Sequence, residues 1–500
     1  MLRKSLVANF LGKGWQAGVQ LLIIPLYAKL MGAEAYGLVG LFGLLTTLSC
    51  LFDTGLSSFL NRQLSRYRAL EAPPESFRNL MRTIEIVYWT SCMAVGGAIL
   101  FFAPQITVGW LNVKVLDTAI VERSIALMGV SFAFQLPALL YQNAMQGLQK
   151  QTLMNLSFAA FVTIRAMGAL SLLFFVSPSP VLFFIWQAGS GISYSLFMRY
   201  LLWREMPKSE ERTFFDKRYL SEGGKFAGGM TIMTILEVLL MHLDKIMLSK
   251  ILPLETFGYY SIAAALASGL IVVVNPIFST SFPLFSYVVA QKDEERVSQL
   301  YHKTTQIMAI FVLPLAMLLS FFSFEILLVW TGSHEIAKSA RWPLTFLAIG
   351  SGINGILHMP YALQLAHGWI KIALYQNGFF FIVSCLLLPY MISRWGMAGA
   401  SATWSLVNLS MVCMTSYFLH RRYLVTERAR WLVQDILLPG AACFSVLLIG
   451  KWFFYSTEDR LLLLLNLILL TGITFIVAIL SASFPRNWAL QKLRLRKINL

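Results

Sequence analysis

Residues 228–258, "GGMTIMTILEVLLMHLDKIMLSKILPLETFG", decide how this chain folds. The run is apolar over more than 20 residues, about the number needed to carry a helix across a hydrocarbon layer of roughly 30 Å. Glu237, Met241 and Asp244 fall on one helical face with Thr234, and Lys245 lies beside it. His242 points roughly 140° away from Glu237 at helical spacing and does not belong to that stripe. The stretch closes on "KILPLETFG" (250–258), which repeats "KLMGAEAYG" (29–37): Lys, then Glu, an aromatic residue and Gly at matching positions. The same offset of 221 carries Asn143 to Gln364, Gly147 to Gly368, Lys150 to Lys371 and Leu153 to Leu374. An even number of crossings between equivalent positions gives both copies one orientation, the arrangement of a parallel repeat about an axis normal to the membrane.

Working outward, apolar runs recur along all 500 residues, of which 57% are hydrophobic and 13% charged, with mean hydropathy +0.67. These values exclude a soluble enzyme. The hydropathy pattern predicts an all-α polytopic membrane protein with about fourteen spans: 5–30, 38–60, 83–104, 120–146, 153–176, 180–203, 226–251, 258–289, 304–330, 342–366, 372–393, 397–419, 431–455 and 460–483. The first run is too long for a cleavable signal core. Residues 1–222 form one six-helix lobe and 223–430 the second, with 431–500 contributing two further helices and a basic tail. With Lys13 counted in the N-terminal segment, 29 of the 40 Lys and Arg fall on one set of alternate loops and 8 on the other. Cations collect on the cytoplasmic side, so both termini are expected inside. This placement, rather than nucleic acid, accounts for the net charge of +16. There is no Walker A, GxGxxG or HExxH motif. The five cysteines, Cys50, Cys92, Cys385, Cys413 and Cys443, lie in apolar runs without metal-ligand spacing, and no cofactor is expected.

Polar groups inside spans should face protein or water. Asn9, Lys13, Gln16 and Gln20 share a face of span one; Gln135, Gln142, Gln146 and Gln149 do so in span four. Ser351, Asn354, His358 and Tyr361 do so in span ten, and Arg165 stands alone in "VTIRAMGAL" of span five. These stripes either line a hydrated cavity or hydrogen-bond between helices to hold the bundle. Lys13, Gln16, Gln20, Gln142, Arg165, Asn354 and His358 are the candidates for a substrate cavity. Glu237, Asp244, Lys245 and Asp53 are the candidates for an ion-coupling site or gate. Arg165 is some 18 Å from either end of its span, too deep to reach water by extending its side chain. It either lines a cavity or pairs with Glu237 or Asp53. Asn275-Pro276, Pro314 and Pro360 interrupt the later spans as hinges or tolerated bends.

Taken in order, "LMGAEAYGL", "LFDTGLSSFLNRQLSR", "QGLQKQ" and "LDKIMLSKILPLETFGYYSIAAAL" resemble the Wzx-type polysaccharide flippases of the MATE-like MOP superfamily. The resemblance covers spans one to twelve. It implies a two-lobe bundle that moves undecaprenyl-diphosphate-linked oligosaccharide across the bacterial inner membrane, coupled to a cation. It also implies that Asp244 and Lys245 hold the family's Asp-basic pair. Further partners would be membrane lipids, a polysaccharide polymerase and a chain-length regulator. Two extra C-terminal spans resemble the fourteen-helix layout of lipid II flippases.

The residue chemistry agrees, because cations such as Lys13 and Arg165 suit a diphosphate. A drug–cation antiporter would need cavity anions, and span one carries Lys13 instead. A glycan polymerase or ligase would need a sizeable outer loop, and the longest here, near 104–120, is about 15 residues. A scaffold without transport is the remaining class.

Overall fold

A computed structural model of the chain describes residues 2–49, 51, 55–453 and 459–483. Among them the structure is helical, and it falls into two compact units, Met1–Gly258 and Tyr259–Leu500. The first unit holds α1 (Leu2–Met31), α2 (Ala33–Leu48), α3 (Leu56–Ala69), α4 (Pro74–Phe101), α5 (Ala103–Gly109), α6 (Thr118–Gly147), α7 (Gln151–Phe175), α8 (Pro180–Glu205) and α9 (Lys217–Ile251). α10 (Leu254–Ala290) begins in the first unit and continues into the second. There follow α11 (Glu294–Phe321), α12 (Ser323–Thr331), α13 (His334–Ala366), α14 (Ile370–Arg422), a π-helical stretch Trp431–Leu437, α15 (Leu438–Phe453) and α16 (Arg460–Ser481). The first unit thus includes α9, which the repeat assigns to the second lobe.

Local chemistry sets many of these boundaries. Pro74 and Pro180 occupy the first helical turn of α4 and α8, where a missing N–H costs nothing. Asp216 and Ser333 cap α9 and α13 by accepting backbone N–H bonds. α14 runs for 53 residues, about 80 Å and far more than one crossing. It is two helices joined at Gly396, whose φ of 55° and ψ of −132° are non-helical. Among the described residues ten helices are long and apolar enough to cross a membrane. Counting the arms of α14 separately and adding α1, α2 and α9 gives fourteen among the described residues.

Two expectations change. The span expected over 38–60 is two helices: α2 stops at Leu48 and the amphipathic α3 starts after Gly55, which is left-handed at φ 75°. Arg62, Arg66 and Arg68 make α3 unsuited to hydrocarbon. The span expected over 304–330 starts earlier, at Glu294, and breaks at Phe322. Helices α10, α11 and α13 run on through Pro276, Pro314 and Pro360, as tolerated bends would.

In the first unit Leu60, Leu64, Leu80, Ile84, Tyr141 and Met198 join α3, α4, α6 and α8 in one buried core. In the second, Tyr301, Met308, Met359, Leu363 and Trp431 join α11, α13 and the π-helical stretch. The C-terminal pair packs on α11 through Leu318, Phe322, Leu447 and Leu467. Its other faces expose Trp452, Leu461 and Leu469, as a lipid-facing surface requires.

The two repeated turns meet within the first unit. A Cβ on Gly37 would collide with the carbonyl oxygen of Leu254, and one on Gly258 with that of Ala33. The two contacts are related by the offset of 221, so each turn presents the same glycine to the same carbonyl of the other. Beside them Glu34, buried, accepts N–H bonds from Lys114, Val115 and Leu116 at 2.7–2.8 Å. Lys250 lies over the Trp110 ring, 5.0 Å from its centroid, and Trp110 donates to Ser249.

Candidate translocation site

Arg165 sits midway along α7, half-buried. Its guanidinium donates to Gln135 Oε1 of α6 at 3.2 Å and lies over the Phe161 ring, 5.3 Å from the centroid. Tyr194 of α8 stacks on the other partner of that ring system, Phe161, at 3.9 Å, and its hydroxyl accepts from Gln142 at 3.2 Å. The backbone here is held as well. Trp186 Nε1 donates to the Arg165 carbonyl at 2.9 Å, and Tyr27 Oη donates to the Ala166 carbonyl at 2.9 Å. Gly168 leaves room for the Trp186 ring, and Gly191 for Gln135.

Three helices therefore bring one guanidinium among amide and aromatic groups. Among the described residues Arg165 forms no ion pair. Gln135 Nε2, beside it, is buried without a hydrogen-bond partner among the described residues. Pairing with Glu237, one of the two acids considered, does not occur; Glu237 is exposed on α9. Asp53, the other, lies outside the described residues, as does the side chain of Lys13. Gln16 is half-buried and Gln20 exposed on α1. That helix meets α7 through the bond from Trp15 Nε1 to Thr163 Oγ1 at 2.8 Å. Asp244 and Lys245 are half-buried near the end of α9.

Asn354 and His358 belong to the second unit. Asn354 Nδ2 donates to Asn408 Oδ1 of α14 at 2.7 Å, and His358 Nδ1 donates to the Asn354 carbonyl at 2.8 Å. Phe278 packs edge-on against His358 and stacks with Tyr361. Gln149, expected on the α6 stripe, lies past the helix end in a turn at φ 57°.

Two charged clusters escaped the sequence reading. In the first unit Glu85 of α4, 2% exposed, accepts from Tyr141 Oη at 2.8 Å, Arg199 Nε at 2.7 Å and Arg82 at 3.2 Å. Trp203 Nε1 adds a fourth contact at 3.3 Å, and Trp89 donates to Tyr141 at 2.7 Å. The signal was an acid at the start of an apolar run, with Tyr141, Arg199 and Trp203 lying 56 to 118 residues away. In the second unit Asp435, within "WLVQDILLPG", is fully buried against His302.

A family model described as polysaccharide biosynthesis protein matches residues 2–289. A MatE model matches residues 230–391. A Shigella flexneri protein carrying the name "Putative O-antigen transporter" is 20% identical over 417 residues, 81% of this chain and 94% of its own length. Among solved structures, the lipid II flippase MurJ in an inward closed conformation superposes with a TM-score of 0.71 at 13% identity. That match covers 97% of this chain and 99% of the other. An inward-facing multidrug resistance MATE family transporter of the MOP superfamily gives 0.66 at 12% identity, over 82% of this chain and 95% of its own. At these identities the structures speak to fold.

Proposed function

The chain belongs to the polysaccharide biosynthesis protein family, the Wzx-type flippases of the MOP superfamily, and from that premise we propose that it carries undecaprenyl-diphosphate-linked oligosaccharide across the bacterial inner membrane by alternating access. It is a multi-pass transporter rather than an enzyme. The observation that carries the substrate reading is Arg165, a cation deep in its helix whose nearest partners are neutral. A diphosphate gives such a group what the protein does not: charge-assisted hydrogen bonds, strongest away from bulk water. Gln135, Gln142 and Tyr194 beside it suit sugar hydroxyls. The prenyl chain stays in lipid while the head passes.

The Lys and Arg bias supports both termini lying in the cytoplasm. The reciprocal contacts of Gly37 and Gly258 support the reading of two related lobes, 1–222 and 223–430, with 431–500 appended. Coupling to a cation through Glu237, Asp244 or Lys245 belongs to the same proposal, as do a polymerase and a chain-length regulator as partners.

The test is surface glycan in cells whose only copy is a variant. Arg165→Ala should lower it at least tenfold at unchanged protein level, and Arg165→Lys should retain part of it. Normal glycan with Arg165→Ala would remove this residue from transport. A second reading, a lipid II-type flippase, is favoured by one observation: the MurJ match spans 97% of the chain, C-terminal pair included. Rescue of cell-wall synthesis, rather than of surface polysaccharide, would select it.

A further inference from the structure

His302 lies two turns into α11 with its ring between two carboxylates. Nδ1 is 2.5 Å from Asp435 Oδ2 and Nε2 is 2.9 Å from Glu427 Oε2. His302 is 4% exposed and Asp435 0%. The other oxygen of Asp435 accepts from Gln306 Nε2 at 2.7 Å, and Gln306 bonds Ser483 just past α16. The cluster therefore ties α11, the connection at Glu427, the π-helical stretch and the end of α16 together.

Proton counting constrains this arrangement. An ionised carboxylate only accepts, so each nitrogen–oxygen contact needs its own proton. The three groups must share two protons, as an imidazolium between two carboxylates or as a neutral ring with one carboxylic acid. Either way the net charge is −1. Removing one proton leaves −2 and turns one contact into a lone pair facing a carboxylate, at a site where Asp435 is fully buried.

The surroundings are polar and partly charged. Arg430 is 3.7 Å from Glu427, and Ser298 also bonds that carboxyl. Arg428 and His420 are within electrostatic reach, Tyr301 is within reach of Asp435, and Lys303 follows His302. Tyr301, His420 and Trp431 pack against one another at 5.2–6.3 Å between ring centroids. Their Oη, Nε2 and Nε1 atoms are buried without a partner among the described residues. Asp435 itself sits in seven residues of π-helix, a geometry that is uncommon and enriched at functional sites.

We propose that His302, Asp435 and Glu427 form a proton-exchange site that fastens the start of the C-terminal helix pair to α11 while both protons are bound, and loosens it when one leaves. The site is independent of Arg165 and of the substrate carried. Its ligand is the proton, which departs to water on the Glu427 side, the more exposed end of the cluster.

The full-length protein, labelled with 15N-histidine and reconstituted in lipid, tests this by ring-nitrogen NMR from pH 5 to pH 9. The His302→Gln variant assigns the signal; if that variant does not fold, the signal displaced by Glu427→Gln assigns it. The His302 resonances should report loss of a proton within the series, and Glu427→Gln should shift that loss by a pH unit or more. Amide exchange over 431–437, corrected for the intrinsic pH dependence, should then lose at least fivefold of its protection across the same step. Ring resonances constant from pH 5 to pH 9 would overturn the proposal. So would proton loss with unchanged protection of 431–437, which would leave a titrating group that fastens nothing.

Discussion

Arg165 and Glu85 show two ways in which one charged residue is kept inside the first unit. Glu85 is satisfied by Arg199, Arg82 and Tyr141, so it reads as a fastening of α4, α6 and α8. Arg165 is positioned by Gln135 and Phe161 and forms no ion pair among the described residues, which supports the proposal that it receives an anion. Their variants should therefore behave differently. Tyr141→Phe removes one donor and should cost about 1 kcal/mol; Glu85→Ala should cost roughly 2 kcal/mol, since Arg199 can still reach water. Thermal melts of purified protein measure both, whereas Arg165→Ala should leave the melt nearly unchanged and act on transport. Glu427 adds a pH dependence outside the spans. Partial burial opposes its ionisation, but the hydrogen bond and charge of His302 prevail and hold the carboxyl below the ordinary range. A lowered folded value means that Glu427 contributes stability above about pH 4.3, the unfolded reference. That contribution disappears as pH falls through the folded value. In Glu427→Gln the acid-side fall in melting temperature below pH 4 should be shallower than in the unaltered protein.

Whole elements were legible where hydropathy alone decides them. The two arms of α14 were expected over 372–393 and 397–419, and the break falls at Gly396 because no side chain with a Cβ readily adopts its φ of 55°. Gly399 completes that turn against the carbonyl of Met391. Gly396→Val should cost about 1–2 kcal/mol or more, read as a lower melting temperature and reduced yield. What hydropathy could not reveal was α3. "LSSFLNRQLSRYRA" mixes an apolar edge, Phe59, Leu60 and Leu64, with arginines on the other. Its first residues read as the end of a span and the rest as a loop, because only the buried partners in α4 and α6 show that it is one amphipathic helix. The Glu85 and His302 clusters were hidden for the same reason. Each is assembled from elements far apart in sequence, and no spacing on one helix announces it. The face of α6 that carries Gln135 and Gln142 was legible by periodicity, and the partners Arg165 and Tyr194 supply what periodicity lacks.

For the whole molecule, sidedness and transport can each be measured. The basic loops should face the cytoplasm. In a variant without native cysteines, single cysteines at positions 210 and 292 should resist a membrane-impermeant maleimide added to intact cells. Those at 114 and 338 should react; the reverse pattern would invert the topology. The C-terminal pair is packed on α11 through Leu447, Leu467 and Phe322, so it is fastened within the second unit. The most direct measurement is made in vesicles that contain only this protein and an undecaprenyl-diphosphate-linked oligosaccharide with a fluorescent sugar. An impermeant glycosidase outside reports how fast sugar moves from the inner leaflet. The protein should speed this movement well above protein-free vesicles, and Arg165→Ala should slow it at least tenfold. Movement no faster than in protein-free vesicles, or equal movement with Arg165→Ala, would contradict the claim that Arg165 carries an anionic lipid-linked glycan across.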